Sequence, residues 1–487
     1  MAKIVLVLFF LLFSTCSTEN GSKDSLVPPE NTDSSENTDS SENTDSSEKT
    51  IPSITQSPIY PYGVSFRLHD TARAINDTQE EIIRSSLLMK NIVNKNPRIA
   101  PPKHKTLNDY TKRIYIDSNA SSNGDGTIDS PFNNLDIIIK NTYEPHTAYL
   151  LKANSVFNGV NFIINNISDI YIGSYGTGHM PVITNADSLI NPTSADGCAV
   201  IGECKKLDGI EKESGSSYCF NMNSKDITID GIHFVIGSGG LALNSENLSI
   251  INCTVESIKF NGFYGGSQYG TLMIGGNKGL ILYNNEIAFA SRDLYFAGGG
   301  LENASIIGNY WHHANMFTFP SPEDFDNRST WVSEGTARGD CLQTYEYGDS
   351  ADKNIYIADN FFDRSDTASK FCVINNLAKG VTIEYNTFIV PLKHPDNGGG
   401  GCYNSGIVTD NLVENNLFLN LDPVGGVSGV SVGGVVKNNH FIGYENISDA
   451  GYSVYVDNTN SAYINPDYYL ENVVPEQRKG SSIFNNL

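Results

Sequence analysis

The chain has 487 residues, 39% of them hydrophobic and 18% charged, which is ample for a globular core and excludes disorder throughout. Its formal charge is −23, from 55 acidic against 32 basic residues, and residues 1–50 account for only nine of the acids and three of the bases. The body itself is therefore acidic and repels polyanions, which excludes nucleic acid and anionic lipid surfaces as partners.

Residues 4–13 are an unbroken apolar run of ten, about half the length a bilayer span needs. Lys3 precedes the run, and Ser14 and Thr15 lead from it to Cys16, which predicts a signal peptide over residues 1–15. The arrangement resembles a bacterial lipoprotein signal. The resemblance implies an exported protein of the cell surface or outer membrane, lipidated at Cys16 and touching the membrane only through that anchor. Ordinary secretion is the alternative.

Residues 16–55 are predicted to be a disordered acidic linker, since residues 30–47 are three consecutive copies of Glu-Asn-Thr-Asp-Ser-Ser with nothing to bury. Residues 56–112 are predicted to form a helical lead-in and N-terminal cap. Within it, Ala74, Ile82, Ile83, Leu87, Leu88 and Ile92 recur at helical spacing and predict a helix over 71–94. Beyond Cys16 seven cysteines remain. Cys198, Cys204 and Cys219 are close enough in sequence to bridge in some pairing, and Cys341, Cys372 and Cys402 fall at strand positions. No Cys-x-x-Cys occurs, which argues against a zinc knuckle.

From Arg113 onward the texture changes to short β-type runs separated by Gly, Asn, Asp and Ser. The stretch IYIDSNASSNGDGTIDSPF at 114–132 is similar to the opening of many exported carbohydrate-active β-helix proteins. Apolar alternation ends repeatedly in Asn, followed two places on by a bulky residue: Asn285 with Ile287, Asn309 with Trp311, Asn360 with Phe362, Asn386 with Phe388, Asn416 with Phe418 and Asn439 with Phe441. The spacings, 24, 51, 26, 30 and 23 residues, describe a coil of about 25 residues with one long insertion. A second strand recurs between these runs at 271–276, 293–299, 340–346, 370–376 and 401–406. Two or three short strands per coil, stacked coil on coil, make a parallel β-solenoid, in which Asn at one repeated turn bonds its equivalents above and below. The pattern resembles the pectate-lyase-like superfamily. That resemblance implies an all-β fold over 113–487, a right-handed parallel β-helix of about a dozen coils, and a polysaccharide as partner.

Overlaying the repeats groups the polar candidates. Asp293, Asp340 and Lys370 open the second strand of three coils and predict one column, with Gln343 and Tyr345 further along the 340–346 run. His312 and Asp363 stand three places beyond the ladder Asn, His313 and Arg364 four places beyond, and Asp366 follows. With Arg338 and Trp331 from the intervening insertion, these residues predict a substrate cleft on neighbouring coils. The superfamily resemblance implies β-elimination from a uronic-acid glycan. Lys370 or His312 would be the base, Arg338 or Arg364 the clamp on the substrate carboxylate, and Asp340, Asp363 and Asp366 the ligands of a Ca²⁺ ion or its carboxylate substitutes. The alternative within the same fold is hydrolysis by paired carboxylates, Asp340 with Asp363 or Asp366. Gly-Asp-Cys at 339–341 is similar to the Asp-Asp-Cys segment of polygalacturonase-type hydrolases, whose Gly-His-Gly and Arg-x-Lys motifs are absent here. A non-catalytic glycan-binding adhesin is the rival from another class, and a surface ion-pair ladder is the structural alternative for the charged columns. Nothing in the sequence indicates an oligomer.

Overall fold

The computed structural model describes residues 92–184 except 141 and 161, and within 220–485 the strands of the coils, the turns at 231–232, 245, 252–253, 277–280, 284–285, 301, 308–309, 359–360, 385–386, 415–416, 434, 438–439 and 443, and the stretch 466–485. All strand pairings among them are parallel, and they build three faces. The first begins with Lys112–Ile116 beside Thr147–Lys152 and runs through Glu246–Ile251, Ile281–Tyr283, Glu302–Ile307 and Lys353–Ala358 to Val454–Val456. The second has eleven strands, from Val156–Phe157 to Thr459–Ser461. On the third lie the first residues of Phe220–Asp230, with Leu241–Leu243, Leu272–Ile274, Leu294–Phe296 and Leu342–Thr344. A four-stranded sheet from Phe371–Ile374 to Asn446–Asp449 continues beside them. The protein is an all-β parallel β-helix, as its repeat predicts, and the last solenoid strand ends at Ser461, before the helix Pro466–Asn472.

The core is made of columns. On the first face Ile229, Ile250, Leu282, Ile306 and Ile357 lie in register and are buried, each such side chain contributing about 1.5–3 kcal/mol. On the second, Trp311, Phe362, Phe388, Phe418 and Phe441 stack with centroids 5.7, 4.9, 4.8 and 4.7 Å apart. These are the bulky residues of the Asn-x-bulky repeat.

The corner between the first and second faces is held by the predicted asparagine ladder, which the structure contains in full from Asn285 to Asn439. Asn285, Asn309, Asn360, Asn386 and Asn416 each donate Nδ2 to Oδ1 of the next, at 2.9–3.0 Å, and their backbone N–H groups donate to that same oxygen. Nδ2 also donates to a main-chain carbonyl of the preceding coil, Ile306 for Asn360 and Ile357 for Asn386. Before each ladder residue, and before Cys253, the chain turns through one residue with positive φ, between +52° and +65°: Asn252, Asn284, Gly308, Asp359, Tyr385, Asn415 and Asn438. Asn, Asp and Gly are the residues that enter this left-handed region at least cost, and Tyr385 is the exception.

Residues 92–94, the end of the predicted lead-in helix, are not helical, and the rest of that helix lies outside the described residues. From Ile92 to Tyr110 the chain instead runs along the outside of the positive-φ column. Arg98 reaches Asn284 and Gly308, the Lys105 carbonyl accepts from Thr228 Oγ1 at 3.1 Å, and Tyr110 packs against Tyr171. The signal segment, Cys16 and the acidic linker also lie outside the described residues.

Candidate functional site

The long insertion leaves the solenoid from the second face. Tyr310–His312 pairs with Phe361–Asp363, Tyr310 opposite Phe361 and Trp311 opposite Phe362, so the coils of Asn309 and Asn360 are neighbours as predicted despite their spacing of 51 residues. His312 and Asp363 therefore close adjacent strands, by the same register that places Ala288 opposite His312 and Asp363 opposite Ile389. Continued along the sheet, that column reads Thr184, Val235, Glu256, Ala288, His312, Asp363, Ile389, Leu419, Ile442 and Ser461. Within it His312 and Asp363 are ionisable neighbours on successive coils. After these two strands the chain crosses through 313–341 and 364–370 and returns on the third face as Leu342–Thr344 and Phe371–Ile374, which lie side by side.

On the third face the register departs from the sequence overlay. Leu294 pairs with Leu342, and Tyr295 with Gln343. An alignment of Asp293 over Asp340 would instead set Leu294 opposite Cys341, so it is out by one residue, and in a strand one residue changes the side presented. The apolar leucines set the pairing, whereas the overlay follows the acids at the head of each run.

His312, Asp363 and Gln343 are thus placed on strands. Lys370, Asp340, Asp366, Arg338, Arg364, Tyr345, Trp331, His313 and Asp293 lie outside the described residues, and Lys370 directly precedes Phe371–Ile374.

Elsewhere the structure shows what a charged column does when its members pair with one another. At the head of the first face Glu302 sits 2.7 Å from Lys353 and 3.9 Å from Lys278, and Lys225 sits 3.1 Å from Glu246. The Lys353 hydrogen bond holds the Glu302 carboxyl below its ordinary range against a smaller burial effect. These side chains are partly to largely exposed, and such pairs contribute little stability. Among the described residues no group of three or more His, Cys, Asp or Glu is placed to hold a metal ion.

One carboxylate that the sequence overlay passes over is buried. Asp359, at the positive-φ position before Asn360, accepts from Ser481 Oγ at 3.0 Å, Ser482 N at 2.6 Å, Ser482 Oγ at 2.9 Å and Ile99 N at 3.3 Å, with Arg98 Nε 3.8 Å away. Burial raises its pKa against these donors. Its side-chain partners are residues 98–99 and 481–482, which it ties to the solenoid, so its work is structural.

No family model and no curated protein matches the chain. Among solved structures it is similar to a rhamnogalacturonan lyase, at 12% identity and TM-score 0.38 over 65% of this chain and 83% of that one. It is also similar to the GH136 lacto-N-biosidase from Eubacterium ramulus, at 14% and 0.38 over 71% and 67%. A third likeness is to PfbA, a surface adhesin of Streptococcus pneumoniae, at 13% and 0.36 over 63% and 80%. At such identities and scores a likeness assigns no activity, and the fold rests on the strand pairing itself.

Proposed function

We propose that the protein is an exported polysaccharide-degrading enzyme of the β-helix type, a lyase that cleaves a uronic-acid-containing glycan by β-elimination. The observation that carries this reading is the pairing of Tyr310–His312 with Phe361–Asp363. It sets His312 and Asp363, two ionisable residues, at the ends of neighbouring strands, where the longest insertion departs.

In this reading the base, Lys370 or His312, takes the proton from C5 of the uronate. The C4–O bond breaks, the leaving oxygen is protonated, and a C4=C5 double bond remains. Arg338 or Arg364 pairs with the substrate carboxylate in the two-pronged geometry a guanidinium allows, which makes the C5 proton more acidic. Gln343, Tyr345, Trp331, His313 and Asp293 line the sugar path. The carboxylates of Asp340, Asp363 and Asp366 are hard oxygen donors of the type that suits Ca²⁺, and would hold it. A bound Ca²⁺ would supply positive charge beside the substrate carboxylate. That suits an acidic protein, whose own charge does not draw in a polyanion. Lipidation at Cys16 would fix the enzyme to the cell surface.

The test is to incubate residues 51–487 with a panel of acidic and neutral polysaccharides, following ultraviolet absorbance of unsaturated uronates together with reducing ends, with and without chelator. Rising absorbance with new reducing ends, lost in Lys370→Ala and Asp340→Ala proteins that keep their circular dichroism, is the expected result. New reducing ends without absorbance would replace elimination by hydrolysis with Asp340 and Asp363 as acid and base. Silence in both channels, with retained glycan binding, would make the protein an adhesin.

A further inference from the structure

The two ends of the described chain meet on the side of the solenoid, nearly four hundred residues apart in sequence. The Asn94 N–H donates to Asn485 Oδ1 at 2.9 Å, and Asn485 Nδ2 returns bonds to Asn94 Oδ1 at 3.1 Å and the Asn96 carbonyl at 3.2 Å. Asn94 Nδ2 donates to the Ser481 carbonyl at 2.7 Å, Asn96 Nδ2 to the Gly480 carbonyl at 2.8 Å, and Arg478 Nη1 to the Val93 carbonyl at 2.8 Å. Residues 93–96 thus bond to the C-terminal segment. The C-terminal segment, in contrast, sits on the coils themselves. The Ser481 N–H donates to Thr387 Oγ1 at 2.9 Å and the Gly480 N–H to the Asn415 carbonyl at 3.1 Å, while the Phe484 ring stands edge-on to Tyr310 and Phe361, at 5.4 and 4.6 Å. At Ile99 and Arg98 the N-terminal strand reaches the solenoid itself, on the same Asp359 that holds Ser481 and Ser482 and, through Arg98, on Asn284 and Gly308.

We infer that residues 478–485 and 93–96 form a layered latch beside Asp359, in which the C-terminal segment seats on the coils first and is itself the seat of residues 93–96. The dependence runs one way. Releasing the C-terminal segment frees residues 93–96 while Arg98 and Ile99 keep their own contacts with the coils, whereas releasing residues 93–96 leaves Ser481 and Ser482 on Asp359.

Amide hydrogen exchange read by mass spectrometry on residues 51–487 tests the order. Gly480 has φ of +106°, and a Cβ there would lie 2.4 Å from Thr387 Oγ1 and 2.9 Å from Leu417 Cβ, so Gly480→Ala pushes the C-terminal segment off without substituting a coil residue. In that protein, exchange at Asn94 and Asn96 is expected to rise at least about tenfold along with 481–483, since several hydrogen bonds are lost together. The ladder amides of Asn309 and Asn360 should stay protected. An Asn94→Ala, Asn96→Ala double variant should speed exchange at 93–97 and leave 481–483 within about twofold. Protection of 94 and 96 that survives Gly480→Ala, or loosening of 481–483 by the double variant, would overturn the layered latch. Deletion of residues 478–487 provides a second release of the same segment, with the same expectation and the same refutation.

Discussion

The ladder makes a quantitative claim about which asparagine matters most. In Asn360→Ala the oxygen that receives both the Asn309 N–H, at 2.9 Å, and Asn309 Nδ2, at 2.9 Å, is gone. Two buried donors are orphaned, at about 1–3 kcal/mol each, for a total of about 2–6 kcal/mol. The carbonyls of Ile306 and Ala358 also lose a donor. In Asn285→Ala the oxygen removed serves only one N–H, that of Cys253, because Cys253 has no side-chain amide to stack. The expected cost is about 1–3 kcal/mol, and a single carbonyl, Ile250, is left short. Both asparagines are fully buried, so cavity effects of the same truncation nearly cancel in the comparison. Urea denaturation followed by far-ultraviolet circular dichroism should place the Asn360→Ala midpoint below that of Asn285→Ala by an amount worth about 1–3 kcal/mol. Equal midpoints, or the reverse order, would refute the donor accounting and leave the ladder a packing feature.

Three further outcomes follow from the same geometry. Phe388 lies between Phe362 and Phe418 in the aromatic stack, and Phe388→Ala should cost about 3–5 kcal/mol in the same denaturation assay. Gly308→Asn places at the turn a residue that Asn284 and Asn415 show to be tolerated there, but in space filled by the Arg98 guanidinium, whose Nη2 would be 2.9 Å from the new Cβ. Thermal stability should fall only slightly, while trypsin cleavage after Arg98 accelerates; unchanged cleavage would mean that Arg98 does not hold the strand there. His440, its Nδ1 2.7 Å from Tyr469 OH, has its pKa lowered by burial from 6.5 to about 4. The unfolded chain then binds the proton first, so stability present above pH 6.5 is lost as pH falls towards 4, and His440→Gln should flatten that part of the melting-temperature profile. Asp359, raised by burial, acts in the opposite sense and stabilises on protonation.

How much of this was legible in the sequence depends on whether a feature repeats from coil to coil. The Asn-x-bulky pattern could be read because every coil faces the same two problems, a corner full of main-chain donors and an interior of fixed width, and answers them with the same residues. The offsets from the ladder Asn carry the same authority, and they set His312 beside Asp363 across a 51-residue gap. The positive-φ partner of the ladder was also on view, in the Asn-Asn pairs at 284–285, 415–416 and 438–439. The third face is different. Its strands are three or four residues long and joined by loops of unequal length, so no invariant residue fixes the count and an overlay on charge slips by one against the pairing of Leu294 with Leu342. Asp359 fails for a further reason. In sequence it is one acid before a ladder Asn, equivalent to Asn284 and Asn415, and nothing local separates it from a solvated turn. Its burial comes from Ser481, Ser482 and Ile99, and residues 95–103 bring three prolines and no periodicity to announce that they lie against the coils. A repeat makes its own contacts predictable and hides those that cross it. Any function carried by the candidate residues must therefore be sought where the repeat is interrupted, at His312, Asp363 and Gln343 and in the segments 313–341 and 364–370, and tested residue by residue.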